Sequence, residues 1–277
     1  MVRIVTDSTS DIPKDWAEEL GIFVVPAIVT FGMESFREGV ELSTSELYSR
    51  MVISPHHPTT SQPSAGEFME AYSKASEGGH ELFAIHLGSA FSGLINSARL
   101  GVEMMPQAPV TVYDSGLLSM AMGLLVLEAS RAAKEGATRN ELTALMDSLR
   151  PRTRVVAALD TLEYLRRGGR LSLFSATLGK ILSIRPTIQV YESVLSQLAR
   201  TRHRENSLHR LVQIAESRAP FERLVVLHTA AHETASRVAE RLTHLNSGAK
   251  PAIIEAGAVI GTHAGPGAVG FACVSRR

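Results

Sequence analysis

The sequence predicts an α/β protein in two parts. Residues 1–150 read as a doubly wound, mostly parallel sheet domain, and residues 151–277 as an α+β domain with a mixed sheet. Three observations predict this. Strand and helix patterns alternate through the first half, as in a parallel sheet with crossover helices. In the second half strand patterns follow one another directly, which requires a mixed sheet. Between the two, Pro151-Arg152 interrupts the helical pattern that ends near Leu149.

Each element has a local reason. Val2 to Val5 is a short apolar strand with Thr6–Ser10 as its polar exit. Pro13 suits a first helical turn, and Gly21 after Leu20 stops that helix. Ile22 to Phe31 reads as one second strand. Ser43 with Glu46, Ser64 with Glu67 and Thr138 with Glu141 have capping-box spacing, which starts helices running to about Ile53, Glu77 and Leu149. The stretch Ser54–Pro63, with three prolines, reads as a loop. Leu82–Leu87 and Val110–Tyr113 are strands, each followed by a hydroxyl-rich exit: Ser89–Ser92 and Asp114-Ser115. A long helix follows from Leu117 to about Lys134. In an open parallel sheet such exits lie along one edge, where ligands bind.

In the second half Val155–Leu159 is a strand. Asp160 is placed to cap a short helix ended by Gly168-Gly169, and an apolar helix is expected over Leu173–Leu182. Thr187–Tyr191 and Val194–Leu198 form a hairpin. Helices at about Asn206–Arg218 and His232–Asn246 flank a strand at Leu224–His228. The apolar runs Ile253–Ile260 and Ala268–Val274 read as strands around a glycine-rich loop, Gly261–Gly267. Glycines there would let backbone amides form an anion nest beside His263.

Composition excludes several classes. The 28 basic residues balance the 28 acidic ones, which gives no electrostatic footprint for nucleic acid. The single cysteine, Cys273, lies in an apolar run and reads as a core residue, which fits a reducing, cytoplasmic setting. No signal peptide or membrane-spanning run is expected.

Gly265-Pro-Gly-Ala-Val-Gly270 satisfies G-x-G-x-x-G, but too little chain remains for a helix and an acidic residue about 20 positions on. No Walker A sequence occurs. Ser92, His263 and Asp114 could be assembled into a serine hydrolase, yet the G-x-S-x-G elbow is missing. No spacing supports a metal site, so His56, His57, His228 and His232 read as solvated. What is left is hydroxyls, one imidazole and guanidinium groups. That set suits holding a carboxylate or phosphate better than breaking a bond.

These pieces together resemble the DegV family of bacterial fatty-acid-binding proteins. The matching stretches are Thr6-Asp-Ser-Thr-Ser-Asp-Ile-Pro13, Thr60-Ser-Gln-Pro-Ser64, Ser92-Gly93, Asp114-Ser115, Asp160–Ser172, Ile184-Arg-Pro186 and Val259–Gly270. The resemblance implies a long-chain fatty acid between two domains, with no cofactor besides this ligand. Its carboxylate would meet Thr60, Ser92 and His263, and its tail an apolar tunnel. Ser61, Gly93, Arg170 and Arg202 would be supporting positions. It further implies a non-catalytic role, in which the acid is presented to a separate ATP-dependent fatty acid kinase and carried as the acyl-phosphate, with Arg170 near that phosphate. Membrane contact would be transient. A serine esterase or thioesterase using Ser92 and His263, and a lipid sensor without a kinase, are the alternatives. The chain departs from the family at Leu94, where Thr is common, and at Glu192-Ser193, where a Gly is usual.

Overall fold

The computed structural model describes residues 1–174 and 184–276. Its elements run β1 (Val2–Asp7), α1 (Lys14–Leu20), β2 (Phe23–Val25), β3 (Ile28–Phe31), β4 (Glu34–Arg37), α2 (Thr44–Ile53), β5 (Thr59–Ser61) and α3 (Ala65–Ser76). Then come β6 (Glu81–His86), α4 (Leu94–Glu103), β7 (Val110–Asp114), α5 (Ser119–Lys134), α6 (Arg139–Leu149), β8 (Thr153–Ala158) and α7 (Glu163–Arg167). The chain finishes with β9 (Arg185–Tyr191), β10 (Val194–Thr201), α8 (Arg204–Glu216), β11 (Phe221–His228), α9 (His232–Leu242), β12 (Ala252–Glu255), α10 (Ala258–Ala264) and β13 (Val269–Ser275).

The first sheet has the order β2-β1-β6-β7, parallel throughout. A six-stranded sheet, β10-β9-β8-β13-β11-β12, is antiparallel except for the β11–β12 pair. A third sheet, β4-β3-β5, is small and antiparallel. The protein is thus α/β, with a parallel and a mixed sheet as the sequence predicts. All three capping boxes form.

Three details differ from expectation, and a fourth expectation lies outside the described residues. The second strand is two: Pro26 cannot donate to a ladder, so the chain leaves the parallel sheet after Val25 and enters the small sheet at Ile28. The proline-rich stretch contains β5, whose Thr60 pairs with Val29. Asp160 does not cap α7; Thr161 Oγ1 accepts the Glu163 amide at 3.1 Å, and Asp160 instead binds Arg185 and Arg204. The expected helix at Leu173–Leu182 falls almost wholly outside the described residues; Leu171–Leu173 is a 3₁₀ turn.

The helix α5 organises the core. It is apolar nearly all round, which a helix tolerates only when buried on every side. It packs on β1 and β6 of the parallel sheet and on β8, β11 and β13 of the mixed one. Met120, Ala121, Met122, Leu125 and Val126 are fully buried there. The β9–β10 hairpin reaches over from the mixed sheet: the Ser193 amide at its tip donates to Gly116 O at 3.1 Å.

Candidate functional site

The small sheet and α10 build the site between them. Ala27, Val29 and Phe31 share one apolar cluster with Leu47, Tyr48, Ala258 and Val259. Burying these together holds β3 against α10, and β5 follows β3 through its ladder. Thr60 on β5 thereby meets His263 on α10: Thr60 Oγ1 and His263 Nε2 lie 2.9 Å apart. Both side chains are half-buried.

His263 therefore sits in the last turn of a helix, not in a glycine loop. The expected anion nest is absent there, because the loop amides are already used. Gly265 N–H donates to Gly261 O, Gly267 N–H to Thr229 O, and Ala268 N–H to Thr229 Oγ1. The apolar run Ile253–Ile260 extends too far to be one strand: Gly257 breaks it and α10 begins.

Burial above all, then the Arg170 charge and His57, lowers the His263 pKa to about 4. The ring is neutral at physiological pH. Its Nδ1 is buried without a hydrogen-bond partner and faces Gly168, where any Cβ would collide with it. A neutral imidazole carries its proton on one nitrogen only. With the proton on Nδ1, an N–H would be buried unpaired, the costlier choice. With the proton on Nε2, the ring donates to Thr60 Oγ1. The Thr60 hydroxyl proton is then free for a ligand.

Ser92 is prepared similarly. Its Oγ accepts the Leu94 amide at 3.2 Å, which leaves the hydroxyl proton unspent. It stands just before Gly93, the N-cap of α4, where the helix dipole favours an anion. Gln62 ties this loop to the Thr60 strand. Its Nε2 donates to Ser97 Oγ at 2.9 Å, and its Oε1 lies 2.8 Å from where a Cβ on Gly93 would be.

Thr60, Ser61, Ser92, Gly93, Arg170 and His263 all line one cavity of about 400 Å³. That is within the usual range for a small-molecule site. Its other walls are mostly apolar, with Leu87, Phe91, Leu118, Val155, Leu159, Leu165, Ile188, Val190, Leu195 and Leu227 among them. Arg170 Nη1 donates to Gly168 O at 2.9 Å. Arg202 is exposed and is not among the lining residues. Leu94, the departure from family pattern, is buried in the cavity wall.

The hydrolase arrangement does not form. Ser92 makes no bond to His263, whose Nε2 is engaged by Thr60. Asp114 Oδ1 accepts the Ser89 and Gly116 amides instead of an imidazole. Among the described residues no cluster of three or more His, Cys, Asp or Glu could hold a metal ion. Nor is any helix among them long and apolar enough to cross a membrane. His228, read from sequence as solvated, is buried against the cavity. Its Nδ1 accepts the Ala231 amide at 3.3 Å, and burial, then His232, lowers its pKa to about 4. Cys273 is a buried core residue whose thiol burial pushes up to about 12.

Sequence reasoning treated Thr6–Ser10 as a strand exit and Thr6–Pro13 as a family motif, with no structural role assigned to its carboxyls. In the structure it is a hub. Asp7 Oδ2 accepts from the Leu87 amide at 3.0 Å and lies 2.9 Å from His86 Nδ1; His86 Nε2 in turn lies 2.8 Å from Tyr72 Oη, all of it buried. Asp11 is buried beside Glu38. Burial first, opposed by its bond to Ser119 and aided by the Glu38 charge, raises its pKa to about 8. Six hydroxyl or carboxyl residues in eight positions were the available signal.

An α/β protein with a polar mouth on an apolar internal cavity is the class this fold and site define. The chain belongs to the DegV family: the family model described as "Uncharacterised protein, DegV family" matches residues 1–276. A DegV domain-containing protein of Streptomyces coelicolor is 36% identical over 281 residues, 99% of each chain. The crystal structure of DegV from Bacillus subtilis, described as a fatty acid binding protein, superposes with a TM-score of 0.90 at 30% identity, covering 99% of both chains. A DegV family protein from Thermus thermophilus, described for its fatty acid binding, gives a TM-score of 0.87 at 30% identity, again over 99% of both.

Proposed function

We propose that this protein carries a long-chain fatty acid. The carboxylate binds at Thr60, Ser92 and His263, and the tail fills the apolar cavity between a 1–150 domain and a 151–277 domain. The observation that carries this reading is the Thr60–His263 pair, 2.9 Å apart, at the polar part of a largely apolar cavity. The solved relatives described as fatty-acid-binding support it.

The energetics are consistent. Each buried CH₂ contributes about 0.8 kcal/mol. A carboxylate buried without partners would offset much of that. Two hydroxyl protons, one polarised by His263, the N-terminus of α4 and the Arg170 charge offset the loss. Ser61 and Gly93 shape the same mouth.

We further propose that the bound acid is presented to a separate ATP-dependent kinase, which forms an acyl-phosphate that this protein then carries, in the cytoplasm. The family resemblance supports this step, as does a sequence with no nucleotide-binding motif. In this reading Arg170 neutralises the added phosphate.

The test is a titration of delipidated protein with a fluorescent long-chain fatty acid. Thr60→Ala and Ser92→Ala should each weaken binding about tenfold, the worth of one hydrogen bond to a charged group. Unchanged affinity in the double variant would contradict the head-group assignment.

A further inference from the structure

The helix that carries His263 has a borrowed cap. Its N-cap residue is Gly257, which has no side chain to offer. Two carboxyl groups from the other end of the chain take its amides. Gly257 N–H donates to Asp11 Oδ1 at 2.8 Å, and Val259 N–H donates to Glu38 Oε1 at 2.8 Å. Both acids are buried, at 7% and 6% exposure. Their outer oxygens are held as well: Ser119 Oγ bonds Asp11 Oδ2 at 2.5 Å, and Ser8 Oγ bonds Glu38 Oε2.

The two carboxyls crowd the space that a side chain at Gly257 would fill. A Cβ there would stand 2.5 Å from Glu38 Oε1 and 3.0 Å from Asp11 Oδ1. Burying two acids side by side is costly. A serine cap in place of the glycine and both acids would satisfy such a helix start without that cost. The arrangement is therefore more than a cap. The Glu38 amide donates to Ala27 O at 2.9 Å, and Ala27 leads directly into β3, whose Val29 pairs with Thr60. One side chain and its own backbone thus link the strand register of Thr60 to the helix of His263. From the clasp to His263 is about a turn and a half of helix, too short to bend independently.

We propose that Asp11 and Glu38 are positioning residues: by clasping the first turn of α10 they set His263 against Thr60. This inference rests on the fatty-acid head-group reading above. It assigns the Thr6–Pro13 motif and Glu38 to tuning ligand affinity, although neither acid is among the residues lining the cavity.

The test is a double-mutant cycle on full-length, delipidated protein, read by titration with cis-parinaric acid and by ¹⁵N resonances of the His263 ring without ligand. Glu38→Ala should weaken binding about tenfold, one charged-acceptor hydrogen bond's worth, and move the ring resonances. Glu38→Gln keeps an acceptor for the Val259 amide and should stay within about twofold of wild type. On a His263→Ala background, Glu38→Ala should add less than about twofold. Full additivity, wild-type binding by Glu38→Ala, or equal losses in Glu38→Gln and Glu38→Ala would overturn the clasp. Should Glu38→Ala fail to fold by circular dichroism, Glu38→Asp, one methylene shorter, takes its place in the cycle. If His263→Ala binds normally, the head-group reading fails. The clasp is then decided by the ring resonances, and unmoved resonances in the Glu38 variant overturn it.

Discussion

His263 is the residue on which the proposed head-group site turns, and its protonation can be read without ligand. Its folded pKa, about 4, lies below the ordinary 6.5. Between those values the unfolded chain binds a proton that the folded chain refuses. Stability linked to this group is therefore present above pH 6.5 and lost on acidification towards pH 4. The shift corresponds to about 3 kcal/mol. His263→Gln, which can still donate to Thr60 but does not titrate, should lose about that much less stability than wild type between pH 7 and pH 4. Urea unfolding at the two pH values measures it; identical losses would show that the ring is not held neutral. His263, Thr60 and Ser92 could be named from sequence because loop hydroxyls near an isolated imidazole fit a family pattern. Their mutual bond could not, since it joins residues about 200 positions apart that meet only because β3, the ladder partner of Thr60's strand, shares one apolar cluster with the helix of His263. Arg202 shows the opposite limit: a loosely aligned basic residue that the fold leaves on the surface.

Elements with strong local signals were legible, and those defined by tertiary context were not. Capping boxes at Ser43, Ser64 and Thr138 located three helix starts, because both partners lie within one turn. The strands β4 and β5 are only 3–4 residues long and largely polar, so no alternation could reveal them, whereas β3 lies within the strand expected over Ile22–Phe31. α10 read as strand because its caps come from Asp11 and Glu38, far away in sequence. The β9–β10 hairpin was legible by its two apolar runs, but its turn is unusual. Glu192 and Ser193 have φ of 47° and 63°, the left-handed region that a two-residue turn of this kind fills with Asn-Gly. Replacing Glu192-Ser193 by Asn-Gly should stabilise the protein by about 1 kcal/mol, read as a higher midpoint in urea. A lower midpoint would mean that the Ser193 side chain, packed on Gly116, matters more than the backbone.

At the scale of the whole molecule, two sheets share the largely apolar helix α5, and a cavity of about 400 Å³ lies among elements from both halves of the chain. The fold class was legible because alternation of strand and helix differs from direct succession of strands. The residues lining the cavity were not, because an apolar wall residue and an apolar core residue look the same in sequence. Val155, Leu159, Ile188 and Val190 could each have packed against another side chain. The central claim is that this volume holds one acyl chain whose carboxylate meets Thr60, Ser92 and His263. Native mass spectrometry of the protein as purified from cells, followed by denaturing extraction and identification of what it carried, tests that directly. The wild type should carry one long-chain fatty acid per chain, and Thr60→Ala/Ser92→Ala should lose it. A folded wild-type protein that emerges empty and takes up no added fatty acid would contradict it.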